Sequence, residues 1–212
     1  MKQLVLSLIS ALQAFLDKLE EKTEPKKDPK PKHSRNKRLL VFASKEIGVK
    51  EVQGSGDSAR VVKYHAYARE DNDISKAQPD STPWCASFIC YCLEMVGMGS
   101  TNSMAARSYL KWGKSVKKDP LPGDIVVYWR GKKSGWAGHV GVYLGQVDGL
   151  IYTLGGNQRD AVNVSRYSTD KLLDIRRSSR MKKLSKQEIL ELKSLANRII
   201  NGHKVELGGK VV

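Results

Sequence analysis

Residues 138–158 read Gly138-His139-Val140-Gly141-Val142-Tyr143-Leu144-Gly145-Gln146-Val147-Asp148-Gly149-Leu150-Ile151-Tyr152-Thr153-Leu154-Gly155-Gly156-Asn157-Gln158. Period-2 alternation puts His139, Gly141 and Tyr143 on one face of a strand and Val140, Val142 and Leu144 on the other. Asp148-Gly149 carries a hairpin-turn signal, so Ile151 to Leu154 should return antiparallel beside the first strand. Two registers fit the spacing. With Gly145 opposite Ile151 across a five-residue loop, His139 faces Asn157; with a two-residue Asp148-Gly149 turn, it faces Gln158. Either register sets a carboxamide beside the imidazole, and Asn157 is the expected partner.

Working outward, Ile125 to Trp129 and Ala161 to Tyr167 are further short runs rich in Val, Ile, Tyr and Trp, bounded by Gly and Asp turns. Upstream the periodicity is helical. A helix is expected from Leu39, with Leu40, Ala43, Ile47 and Val49 apolar and Gly48 near its end, and another over Ala59 to Ala68. Helices first and strands after, without βαβ alternation, predict an α+β domain. Between them Glu70 to Ser81 is a polar loop holding Asp71, Asp73 and Asp80; its carboxylates lack the ligand order and glycine of an EF-hand, so no metal is assigned.

Thr82-Pro83-Trp84-Cys85 has the form of a helix start, with Thr82 as cap, Pro83 first and Cys85 third. A thiol in the first turn meets the positive end of the helix dipole and free backbone amides, which favour the thiolate and can receive an oxyanion. Phe88, Ile89, Cys92, Leu93 and Val96 form the buried stripe, leaving Cys90 and Cys92 as packing residues. His139 is the candidate base for Cys85, and a carboxamide accepting from one imidazole nitrogen would leave the other free to take the thiol proton. His33, His65 and His203 have no comparable setting.

The net charge of +15 is unevenly placed: residues 1–20 carry none, 21–38 carry +5, 39–170 carry +3 and 171–212 carry +7. Residues 1–20 show an amphipathic helical stripe of Leu4, Leu8, Ala11, Leu12, Phe15 and Leu19. Residues 21–38, with Pro25, Pro29 and Pro31 among basic residues, read as an extended linker. Residues 179–212 read as a basic helical appendage, its helix running from Leu184 to Ile200 with Ser185 as N-cap. Basic flanks suit anionic cell-envelope polymers, and the terminal helices suit a virion or membrane-surface partner. No base-reading motif is present, so no specific nucleic acid is expected. Three cysteines within eight residues fit neither a disulfide framework nor a zinc site. No stretch reaches the roughly 18 apolar residues of a membrane span.

Four blocks, Thr82-Pro83-Trp84-Cys85, Pro122-Gly123-Asp124-Ile125-Val126-Val127, Gly138-His139-Val140-Gly141 and Leu154-Gly155-Gly156-Asn157-Gln158, agree in order and spacing with CHAP-type amidases and peptidases. The chain resembles this group of the papain-like and NlpC-like cysteine peptidases over residues 39–178, and within it phage lysins. The resemblance implies a papain-like α+β fold with helices packed on an antiparallel sheet, and Cys85, His139 and Asn157 as catalytic residues without a cofactor. Trp84, Trp136 and Gln158 are candidate substrate contacts. It further implies hydrolysis of amide bonds in bacterial peptidoglycan, by an endolysin or virion-associated lysin made in the host cytoplasm and acting at the wall. A non-catalytic wall-binding or virion structural protein on the same fold is the alternative. Many CHAP domains carry an acidic residue two positions before the asparagine, where this chain has Gly155.

Overall fold

The computed structural model describes residues 33–207. The expected helix over 1–20 and residues 21–32 of the expected linker lie outside this range, as do residues 208–212. Among the described residues, helices α1 (Arg35–Ser44), α2 (Ala59–Ala66) and α3 (Cys85–Met95) precede the sheet, and α4 (Lys186–Ile200) follows it. The strands are β1 (Lys114–Ser115), β2 (Ile125–Trp129), β3 (Gly138–Val147), β4 (Leu150–Gly155), β5 (Asn163–Ser168) and β6 (Leu172–Arg177). They form one antiparallel sheet in the order β1-β6-β2-β3-β4-β5. This is the α+β arrangement that helices-then-strands predicts.

The two faces of the sheet follow from the alternation along its strands. Ile125, Val127, Val140, Val142, Leu144 and Leu154 point to the helices and meet Leu39, Leu40, Phe88, Ile89 and Leu93. On the opposite face Val126, Tyr128, Tyr143, Ile151, Leu172 and Ile175 form a second, smaller cluster. His139 shares a cross-strand pair with Tyr128, which sets its side chain on that second face.

Two expected boundaries move. Helix α1 begins at Arg35, inside the stretch read as linker, because Ser34 caps it by accepting from Lys37 N–H at 3.3 Å. Asn36 is fully buried and its Nδ2 donates to Pro122 O at 2.9 Å, while Lys37 meets Glu191 at 3.1 Å. The basic residues that resemble linker are thus the outer face of a packed helix. At its far end α1 stops at Ser44, and Gly48, at φ +98°, turns the chain so that its N–H donates to Val162 O at 3.0 Å. Ile47 is left exposed.

Helix α4 is no appendage. Ser185 caps it in a capping box with Glu188, as the sequence suggests, and Leu192, Leu195, Ala196 and Ile199 are buried in the main core with Val205. At roughly 1.5–3 kcal/mol per fully buried aliphatic side chain, this face is a structural part of the domain.

Strand β6 went unread because Asp174, Arg176 and Arg177 interrupt its apolar pattern. Each charge has a partner: Asp174 pairs with Arg176 at 2.8 Å, and Arg177 reaches Asp124 at 2.7 Å and 2.9 Å. Asp124, the acid of the Pro122-Gly123-Asp124 block, also accepts from Leu121 N–H at 2.7 Å and is buried at the entry to β2. Gly123, at φ +91°, lies so close to Asn36 that a Cβ would stand 2.8 Å from the Asn36 Cβ. The block is a structural joint between α1, β2 and β6.

Candidate active site

Cys85 is the first residue of α3, not the third, with Trp84 at the N-cap position. The Trp84 ring is fully buried near Tyr64, at 5.8 Å between centroids, and its indole N–H donates to Glu51 Oε1 at 2.5 Å. On the other side it packs on Gly156, where a Cβ would lie 2.4 Å from Trp84 Cζ3. Burial therefore removes Trp84 from any substrate groove and makes it the anchor of the segment that carries Cys85. His65, also fully buried, steadies the same region from α2 through its Nδ1, 3.0 Å from Ser87 Oγ.

The Cys85 thiol is almost wholly buried. It faces the backbone N–H of Val140, the residue after His139, and the N–H groups of Cys85 and Ala86 at the helix start. Burial pushes its pKa above the usual cysteine range, and these N–H groups with the Arg130 charge only partly oppose that.

The hairpin uses both registers considered for it. At the tip Val147 pairs with Leu150, Gln146 with Ile151 and Gly145 with Tyr152, around a two-residue Asp148-Gly149 turn with both residues at positive φ. An irregularity between Tyr143 and Gly145 then shifts the pairing by one, giving Tyr143 with Thr153 and Val142 with Leu154. Continued, that second register would bring Asn157 to His139. Strand β4 ends at Gly155 instead, and Asn157 adopts a left-handed φ of +54°. The residue beside the imidazole is Gln158: its Oε1 lies 3.1 Å from His139 Nε2. Asn157 is a turn residue with no side-chain hydrogen bond among the described residues, so the expected partnership with His139 passes to its neighbour.

Gln158 is held firmly. Its Nε2 donates to Asn163 O at 2.6 Å and Asn163 Oδ1 at 3.0 Å, and Asn163 Nδ2 donates back to Gln158 O at 2.5 Å. With the amide nitrogen committed as donor, Oε1 must accept from His139, which puts the imidazole proton on Nε2. On the other side Arg130 Nη2 stands 3.3 Å from His139 Nδ1. A guanidinium only donates, so Nδ1 carries the lone pair. Both neighbours select the same neutral tautomer, with the lone pair on Nδ1.

Gly155 makes this possible. A Cβ there would lie 3.0 Å from Gln158 Oε1 and 3.3 Å from His139 Nε2. Where many CHAP domains carry an acidic side chain, this chain has space, and the Gln158 carboxamide fills it.

Sequence reasoning missed Arg130 and Tyr167. Arg130 follows β2, and its N–H donates to Ala137 O at 3.2 Å, closing the β2–β3 connection next to His139. Reading Ile125 to Leu144 as a hairpin would have found it. Tyr167 of β5 stacks on His139 at 5.1 Å and on Tyr128 at 4.6 Å, and its hydroxyl accepts from Arg130. Because the imidazole is fully buried and faces the Arg130 charge, its pKa is lowered to about 3.

A cleft of about 610 Å³ opens here, lined by Arg130, Tyr152, Gln158, Arg159, Ser165, Arg166 and Tyr167 among others. Trp136 is 90% exposed on the loop before β3 and does not line it. In the polar loop Asp71 and Asp73 are engaged by Arg69 and Lys76, and Asp80 accepts from Val52 and Ser58 N–H groups.

No curated protein sequence matches the chain. Among solved structures it is similar to NlpC1 from Trichomonas vaginalis at 16% identity and TM-score 0.43, covering 73% of this chain and 48% of that one. The chain thus spans about half the length of that protein. It is similar to the P60 domain of an antigen from M. avium subspecies paratuberculosis at 18% identity and TM-score 0.43, covering 69% and 96%. A lipoprotein-like NLP/P60 family protein from Staphylococcus aureus follows at 16% identity and TM-score 0.41, covering 74% and 44%. Residues 77–157, which hold both Cys85 and His139, match the family model described as CHAP domain.

Proposed function

We propose that this protein is a peptidoglycan hydrolase, a cysteine peptidase or N-acetylmuramoyl-L-alanine amidase of the phage lysin kind, with Cys85 as nucleophile and His139 as base. The observation that carries this reading is the tautomer of His139. Gln158 Oε1 accepts the hydrogen bond from Nε2–H and leaves the Nδ1 lone pair on the side of the site that bears the Arg130 charge also felt by Cys85.

Nδ1 takes the Cys85 proton as sulfur attacks the carbonyl carbon of a wall-peptide amide. The oxyanion forms beside the Cys85 and Ala86 N–H groups at the start of α3. The imidazolium, its Nε2 proton still held by Gln158, returns a proton to the departing amine. Water then hydrolyses the thioester, with Nδ1 again as base. Gln158 acts here as positioning residue in place of Asn157. The basic flanks would raise the encounter rate with an anionic envelope, whether the protein acts as a free endolysin or from a virion.

The test is turbidity and new amino groups on purified bacterial walls, with the released fragments weighed to name the bond. Cys85→Ala should abolish release while keeping the fold. Equal release by parent and variant would reject nucleophilic catalysis by Cys85; wall binding without release by the parent would favour the non-catalytic alternative.

A further inference from the structure

The cleft beside His139 has a composition that the hydrolytic chemistry alone does not require. Three arginines, Arg130, Arg159 and Arg166, line it, and no Asp or Glu does. None of the three takes part in an ion pair among the described residues, although Arg69, Arg176 and Arg177 all do. Gln158, Ser165, the rings of Tyr152 and Tyr167, and the apolar Val164 and Ile200 supply the remaining walls. Uncompensated guanidinium groups in one concavity beside a reactive centre form a receptor for an anionic group of the reacting molecule.

We propose that this cleft is a carboxylate subsite: it takes a free carboxylate on the peptide being cut, with Arg130 as the inner contact and Arg159 and Arg166 as the outer ones. The inference rests on the hydrolase reading. Planar guanidinium forks match a carboxylate in two parallel hydrogen bonds, and the position next to His139 makes the ligand part of the substrate, not a distant anchor.

Occupancy would also change the base. In the free protein Arg130 donates toward Nδ1, the nitrogen that must accept the Cys85 proton. A carboxylate pairing with Arg130 draws the guanidinium off that nitrogen and offsets its charge, so the base becomes available when a suitable substrate is bound.

Iodoacetate and iodoacetamide deliver the same alkyl group to sulfur, one with a carboxylate and one with a neutral amide. Their rate ratio at Cys85, read by mass of the Cys85 peptide, cancels changes in thiol reactivity. Relative to a free cysteine peptide, the parent should favour iodoacetate by about tenfold at low salt. Arg130→Gln should bring the ratio back to that of the free peptide, with Arg130→Lys in between. An unchanged ratio in Arg130→Gln overturns the proposal. Protection of Cys85 from iodoacetamide by inorganic phosphate but not by succinate also overturns it, in favour of a phosphate-bearing polymer. On walls, Arg159→Gln/Arg166→Gln should lower amine release by roughly tenfold. It should lower it much less on walls whose peptide carboxylates have been amidated; equal loss on both walls overturns the subsite. If no wall is cut, the hydrolase reading fails, while the alkylation ratio still reports on the cleft.

Discussion

Gln158 Oε1 reaches His139 Nε2 at 3.1 Å through space that Gly155 leaves open, so the orienting carboxamide arrives from beyond the strand end and not from the strand itself. The consequence is a division of roles between adjacent residues. Asn157 supplies the left-handed turn, and Gln158 supplies the hydrogen bond that fixes the tautomer.

Gln158→Ala should lower kcat on wall substrate by on the order of 10²-fold, since a base in the wrong tautomer forfeits most of a general-base contribution. Asn157→Gly, which keeps the positive φ, should leave kcat within a few-fold of the parent. The opposite ranking, with Asn157→Gly the more damaging, would restore Asn157 as the orienter.

The two glycines before it should respond differently to a single methyl. At Gly155 an added Cβ crowds Gln158 Oε1 and His139 Nε2, so Gly155→Ala should cut activity through the carboxamide position while leaving Tm little changed. At Gly156 the Cβ would enter Trp84 and stand 2.7 Å from Phe88 Cβ. Gly156→Ala should therefore destabilise by about 1–3 kcal/mol, as overpacking does. Thermal melts and kcat measured on both variants separate the cases, and a Gly155→Ala protein with full activity would refute the space argument.

Much of this was legible beforehand. Cys85 in the first turn of a helix, His139 off the aliphatic face and a carboxamide beside it were read correctly, although the helix begins at Cys85 with Trp84 at the N-cap position and not at Pro83 with Thr82 as cap. The choice between Asn157 and Gln158 was not legible, because it depends on an irregularity near Leu144 and on where β4 stops, neither of which has a periodic signature. The first turn of α1 and strand β6 were hidden for a shared reason: their charged residues are paired across the fold, as Lys37 with Glu191 and Arg177 with Asp124, and a pairing over long sequence distance leaves no local trace. Arg130 was overlooked because a single arginine after a strand reads as solvated surface until the opposing strand is placed beside it.

The Asp124–Arg177 pair makes a stability prediction. Asp124 is buried, and Arg177 is only slightly exposed. Asp124→Ala leaves the guanidinium without its carboxylate and frees the Leu121 N–H, so a loss of about 3–5 kcal/mol is expected by urea denaturation. The double variant Asp124→Leu/Arg177→Met should recover a large part of that loss, because a buried pair is harder to break than to replace. Additive losses in the two single variants and the double would show that the pair is not coupled.

Acid should weaken the fold through His139. In the folded protein burial and Arg130 hold the imidazole pKa at about 3, whereas an unfolded histidine titrates near 6.5. Between those values the unfolded chain binds a proton that the folded one refuses. Stability therefore falls as pH drops below about 6.5 and continues to fall until about pH 3. His65, also lowered by burial, adds a contribution of the same sign. Unfolding free energies from urea denaturation at pH 7.5 and pH 5 should differ by on the order of 1 to a few kcal/mol in the parent, a range in which most carboxylates stay ionised in both states. The difference should shrink in His139→Gln, which keeps a polar group beside Gln158 and cannot be protonated. The same pH dependence in parent and variant would mean that His139 binds its proton in the folded state, and the neutral imidazole would have to be given up.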